Sequence, residues 1–168
     1  MVVKLLEYPT PFDWREVKRR ALVTMGKEIK TSPSNEWMKS ILSARHSPIR
    51  YLRFSFYIEC PYWVSVHLCR HIHAQPYVRS QRNDRQDLYD RTKAPQDQMV
   101  SMIWDMDAEE FIIIANKRLC GKASAETREV VKIMCTEVIK QCPEFADELV
   151  PMCVREGSCH EMQPCGKR

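Results

Sequence analysis

The chain has 168 residues, 44% of them apolar and 29% charged. These proportions suit one globular domain around a single core and exclude both a disordered chain and a membrane-embedded one. Its 26 basic and 22 acidic residues leave a net charge of only +4, which places nucleic acid last among possible partners.

No apolar run approaches the roughly 18–20 residues that cross a bilayer, and the stretch MVVKLLEYPTPFDW lacks the apolar centre of a secretion signal. A cytoplasmic protein is therefore expected, with its eight cysteines reduced. In residues 13–27, Trp14, Val17, Ala21 and Met25 recur at helical spacing, and Gly26 marks the end. Ser34 can cap a second helix whose stripe is Trp37, Met38, Ile41 and Leu42, closed by His46-Ser47-Pro48. Residues 51–59 alternate Leu52, Phe54, Phe56 and Ile58 with polar positions, the pattern of a half-buried strand.

Pro61 then opens a helix carrying Trp63, Val66 and Cys69 or Arg70 on one side, with Arg70 and His71 on its last turn. Residues 74–98 lose all periodicity and read as a long connection. A second strand follows over 100–107, then a helix to about Leu119, started by a capping box of Asp107 and Glu110 and broken by Gly121. Residues 123–141 form a further helix with Ser124 as cap and Val130, Met134, Val138 and Ile139 on its buried face, stopped by Pro143. The expected organisation is one domain over residues 1–150 with an irregular, cysteine-rich tail over 151–168.

The unusual feature is the run RHIHAQPYVRSQR at residues 70–82, within a stretch where Arg70, Arg79, Arg82, Arg85 and Arg91 concentrate positive charge. A guanidinium fork suits a phosphate. Arg82, Arg91 and Arg118 come from separate segments and could converge on one anion, or each could be solvated or paired with Asp84, Asp87 and Asp90. With four glycines in the chain and no G-x-G-x-x-G, a Rossmann-type site is excluded. His71 and His73 find no carboxylate or cysteine at metal-ligand spacing, so no metal is assigned to them. Cys153, Cys159, His160 and Cys165 admit a zinc site but lack C-x-x-C spacing, and reduced surface thiols compete with it. Cys60 and Cys69 read as buried thiols, not nucleophiles.

The run resembles the signature RHRxxSxNxxSxRY of the flavin-dependent thymidylate synthases, the ThyX family. Arg70, His71, Ser80 and Arg82 fall at its first, second, eleventh and thirteenth positions. Ser47-Pro48, the aromatic strand and the Pro-initiated helix precede it, while Arg91 with Pro95, and Asn116 and Arg118 with Ala123 and Glu126, follow at family-like places. Ile72, Gln75, Tyr77 and Asn83 depart from the signature, Arg45 and Arg50 replace a histidine and a glutamate, Asp107 and Ile113 replace asparagines, and a helical insertion is missing.

The resemblance implies an α+β fold with a small antiparallel sheet flanked by helices. It implies reductive methylation of dUMP to dTMP by methylenetetrahydrofolate, with FAD passing electrons from NADPH in sites shared within a homotetramer. It assigns dUMP binding to His67, Ser80, Gln81, Arg82, Arg91 and Arg118, with Ser80 and Arg118 catalytic. Flavin binding falls to Ser47, Arg70, His71, Ile72 and Asp107. The competing expectation is a relative that keeps the fold and a pyrimidine nucleotide but has lost or altered the flavin reaction.

Overall fold

The computed structural model describes residues 1–85 and 89–166. Four strands form one antiparallel sheet in the order β1-β2-β4-β3, with β1 at Val2–Glu7, β2 at Arg53–Pro61, β3 at Gln75–Val78 and β4 at Met99–Asp107. The helices are α1 (Pro11–Val23), α2 (Asn35–Ser43), α3 (Tyr62–Leu68), α4 (Ala108–Arg118), α5 (Ala125–Gln141) and the single turn α6 (Met152–Arg155). The expected α+β architecture is present.

The two central strands owe their burial to side-chain alternation. Phe54, Phe56, Ile58 and Cys60 of β2 and Val100, Met102, Trp104 and Met106 of β4 point into the core. Phe111 of α4 packs on Phe54 and Phe56 with centroids 5.1 and 5.3 Å apart, and Phe145 meets Phe54 edge-on at 5.3 Å. The opposite face is more open, and a row across all four strands runs Lys4, Tyr57, Ile103, Tyr77.

Caps set the helix ends. Thr10 and Asp13 form a reciprocal capping box, so α1 starts before the expected residue 13 and ends at Val23, leaving Met25 exposed beyond it. Ser34 and Ser124 cap α2 and α5 as expected. Asp107 accepts the Glu110 backbone N–H to cap α4, which ends at Arg118 ahead of Gly121.

Three expectations fail. The buried side of α3 is Val64, Ser65 and Leu68, while Val66 is exposed, and the helix stops at Leu68 so that Arg70 and His71 lie in the turn after it. Residues 74–98 are not wholly irregular, because Gln75–Val78 pairs with β4 as an edge strand that tolerates Pro76. Residues 2–7, read only for a leader, supply the other edge. Asp87 lies outside the described residues, and so does the end of the tail at 167–168. No helix among the described residues is long and apolar enough to cross a membrane.

Candidate functional site

The last turn of α4 and the turn after α3 meet through one arginine. Arg118 donates its Nε–H to Nε2 of His71 at 2.9 Å and an Nη2–H to the carbonyl of His67 at 2.9 Å. On the other side of the imidazole, Nδ1 of His71 lies 3.3 Å from Oε1 of Glu110. The Trp104 ring flanks His71, with centroids 6.2 Å apart.

This chain of groups is well covered: the His71 side chain is 11% exposed and that of Glu110 5%. Burial, with the Arg118 guanidinium second, pushes the His71 pKa down to about 4. Burial raises the Glu110 pKa, with His73 pulling the other way, and lowers that of Arg118, with Arg70 adding to the effect. His71 is thus a neutral imidazole near pH 7, with the hydrogen on Nδ1 facing the carboxylate and the lone pair on Nε2 facing the guanidinium. Its Nδ1 therefore faces Glu110 as part of a neutral ring and not as the cation of an ion pair.

His67 sits on α3 with its ring edge-on to Trp63 at 5.4 Å and Nδ1 3.4 Å from Thr127 Oγ1. Thr127 is fully buried and receives the Ser124 hydroxyl at 2.7 Å. The start of α5 therefore braces the residue whose carbonyl holds Arg118.

The loop after β3 carries the other arginines. Arg82 makes a bidentate pair with Asp84, Nε–Oδ1 2.9 Å and Nη2–Oδ2 2.6 Å, both side chains about 60% exposed. Arg82 is the main cause of a lowered Asp84 pKa, and Arg91 contributes to it at longer range. The Arg91 backbone N–H donates to Asn83 Oδ1 at 3.2 Å. Asp90 takes Thr92 and Lys93. Arg82 and Arg91 thus share one acidic neighbour, while Arg118 is held by different partners at the ends of α3 and α4.

Ser80 accepts the Arg82 backbone N–H at 3.3 Å. With Arg79, Gln81, Tyr89, Gln98, Met99 and Val100 it lines an indentation of about 10 Å³, room for a water and not for a pyrimidine ring. A base reaching Ser80 must lie against the outer surface.

Asp107 lines a larger cleft of about 360 Å³ with Arg50, His73, Glu109, Glu110 and Ile113. Arg50 is paired with Glu109. Ser47 starts a short 3-10 turn and is exposed, as is Arg70, and Ile72 is 83% exposed.

Cys60, Cys69, Cys120, Cys135, Cys142, Cys153 and Cys159 are free thiols. Burial raises the Cys60 thiol to about 11 and also lifts Cys69, so both are protonated near pH 7 as a non-nucleophilic role requires. Among the described residues no group of three or more His, Cys, Asp or Glu is placed to hold a metal ion. Cys153, Cys159, His160 and Cys165 instead line a cavity of about 190 Å³ with Cys120 and Asn116.

Residues 90–144, the segment that contains Arg91, Asp107 and Arg118, match the family model described as thymidylate synthase complementing protein. Over that segment the chain is similar to the ThyX family. Among solved structures, the fold is similar to the crystal structure of a UMP/dUMP methylase, PolB, from Streptomyces cacaoi bound with 5-Br dUMP. The TM-score is 0.70 at 15% identity, covering 88% of this chain and 93% of that one. Among curated proteins none matches the sequence.

Sequence reasoning missed Glu110 and Thr127 as supports of the site. Glu110 had the right spacing for a capping box, yet only its backbone takes part in the cap. The flavin that the family implies is not well matched by one chain. His71 has Nε2 bonded to Arg118 and Nδ1 facing Glu110, and the cleft at Asp107 sets three carboxylates against Arg50 and His73, a poor counterpart for a diphosphate.

Proposed function

We propose that the chain is a ThyX-type enzyme that binds dUMP and methylates its pyrimidine at C5. The observation that carries this reading is Arg118, fixed by His71 and the His67 carbonyl at the end of the helix inside the matched segment. Those contacts use Nε and Nη2 and leave Nη1 to meet an anion. Arg82 and Arg91 would complete the phosphate grip by exchanging Asp84 for the nucleotide. His67 and Gln81 would border it, and Ser80 would orient the ring. The PolB structure, a UMP/dUMP methylase holding a dUMP analogue, supports the same substrate class.

The full thymidylate synthase reaction adds methylenetetrahydrofolate as one-carbon donor, with FAD and NADPH supplying electrons. Flavin would then need a pocket completed by neighbouring subunits of a homotetramer around Ser47, Arg70, His71, Ile72 and Asp107. A second reading keeps dUMP and dispenses with or alters the flavin reaction, and the occupied His71 and acidic cleft favour it.

The test begins with a visible spectrum of purified protein, then thermal melting with dUMP. At a hundredfold excess over Kd, dUMP should stabilise the fold by about 2.7 kcal/mol, and Arg118→Ala should abolish that shift. Absence of any shift with the intact protein refutes nucleotide binding. A flavin band separates the first reading from the second.

A further inference from the structure

Glu110 and Arg118 stand at opposite ends of α4. Eight residues along a helix amount to roughly 12 Å, too far for direct contact, and His71 spans the gap from the turn after α3. Its Nε2 accepts the guanidinium Nε–H at 2.9 Å, and its Nδ1 lies 3.3 Å from the carboxylate.

We propose that Glu110 is a positioning residue: by holding the hydrogen on Nδ1 of His71 it keeps Nε2 an acceptor, and that acceptor aims Arg118 at the anionic group of the nucleotide. This rests on the nucleotide reading above. The physical reason is tautomer choice. A neutral imidazole carries one hydrogen, and with no acceptor at Nδ1 it is free to move to Nε2. There it would oppose the Arg118 Nε–H, donor against donor, and the guanidinium would leave.

The cap of α4 does not use the Glu110 carboxylate. Asp107 already caps α4, and Glu110 gives that cap only its backbone N–H. Its side chain is nearly fully covered, among apolar neighbours on the helix such as Phe111 and Ile114. An apolar side chain would avoid the cost of burying a charge, so a stabilising role alone does not account for an acid here. His73, Asp107 and Glu109 are the other charged or titratable groups around it, and Arg70 is the one acting on Arg118.

The experiment uses the full chain with nitrogen-15-labelled histidine, the His71 signals being assigned with His71→Gln, and measures dUMP affinity by calorimetry. Wild type should carry the hydrogen on Nδ1. Glu110→Gln keeps an acceptor for it, so it should retain the tautomer and bind dUMP within about threefold of wild type. Glu110→Leu should shift the hydrogen to Nε2 and weaken dUMP about ten- to hundredfold, the loss of one charge-assisted hydrogen bond.

A hydrogen on Nε2 in wild type overturns the proposal whether or not Glu110→Leu folds. So does a folded Glu110→Leu that keeps both tautomer and affinity. If wild type fails to bind dUMP while the tautomer follows residue 110 as stated, the nucleotide reading falls and takes the ligand role of Glu110 with it. A normal dUMP affinity that ignores residue 110 sinks the positioning role alone.

Discussion

Protonating His71 breaks the chain from Glu110 to Arg118, and the cost can be read as a pH dependence of stability. Its pKa moves from an ordinary 6.5 to about 4, by burial first and the Arg118 charge second. The folded protein resists a proton that the unfolded chain accepts. The contribution is therefore intact above pH 6.5, falls as pH drops through that value, and is fully lost below about 4. At full effect the shift corresponds to roughly 3 kcal/mol. Glu110 works in the opposite sense, because its raised pKa lets the native state take up a proton before the unfolded one. Comparing wild type with His71→Gln removes most of that offset, since Glu110 and the other histidines are shared, and a glutamine can donate to Glu110 while accepting from Arg118. Urea unfolding followed by tryptophan fluorescence should find the difference between the two proteins changing by about 1–3 kcal/mol between pH 7.5 and 4.5, wild type losing ground. A difference constant to within about 0.5 kcal/mol over that range would refute the buried, neutral imidazole.

Elsewhere, Arg155→Met should cost about 3–5 kcal/mol in chemical unfolding. It strands the buried Glu148 carboxylate that Arg155 holds at 2.6 Å, and an unchanged midpoint would contradict this. Thr10→Ala removes both halves of the α1 capping box and should cost about 1 kcal/mol, read as a fall of about 2–4 °C in thermal midpoint. Arg82→Ala breaks only an exposed pair with Asp84 and should change stability by less than about 1 kcal/mol. Its dUMP affinity, by calorimetry, should fall about tenfold or more; unchanged affinity would remove Arg82 from the phosphate grip.

The central strands were legible because burial on one face imposes a period of two, as Phe54, Phe56 and Ile58 show. Capped helices were legible because Ser34, Asp107 and Ser124 announce their starts. Edge strands were not. Val2, Val3, Leu5 and Leu6 do not alternate cleanly, and Pro76 argues against a strand until the pairing of Pro76 with Trp104 puts it on an edge. In the site, the motif singled out Arg118 and His71, whereas their mutual contact and the nearness of Glu110 join residues 39 to 47 positions apart. Asn116 is similar. Read as part of an N-x-R match, it accepts from Arg45 and donates to the Glu148 and Val150 carbonyls at 2.9 and 2.7 Å, tying three segments that no local pattern links.

The arginines differ in what a nucleotide would have to undo. Arg118 is already oriented by two hydrogen bonds to covered groups, so its ordering cost is met on folding and a phosphate need only meet the remaining NH₂. Arg82 faces solvent in a pair with Asp84, a contact worth at most about 1 kcal/mol, and a dianionic phosphate can replace that carboxylate at little cost. One anchor is rigid and the other exchangeable. Affinity should therefore depend on whatever holds Arg118, while the loop of Arg82 and Arg91 adjusts to the ligand. On the nucleotide reading, the weight of recognition would rest on the His71 imidazole, and its hydrogen would have to be on the nitrogen that faces Glu110.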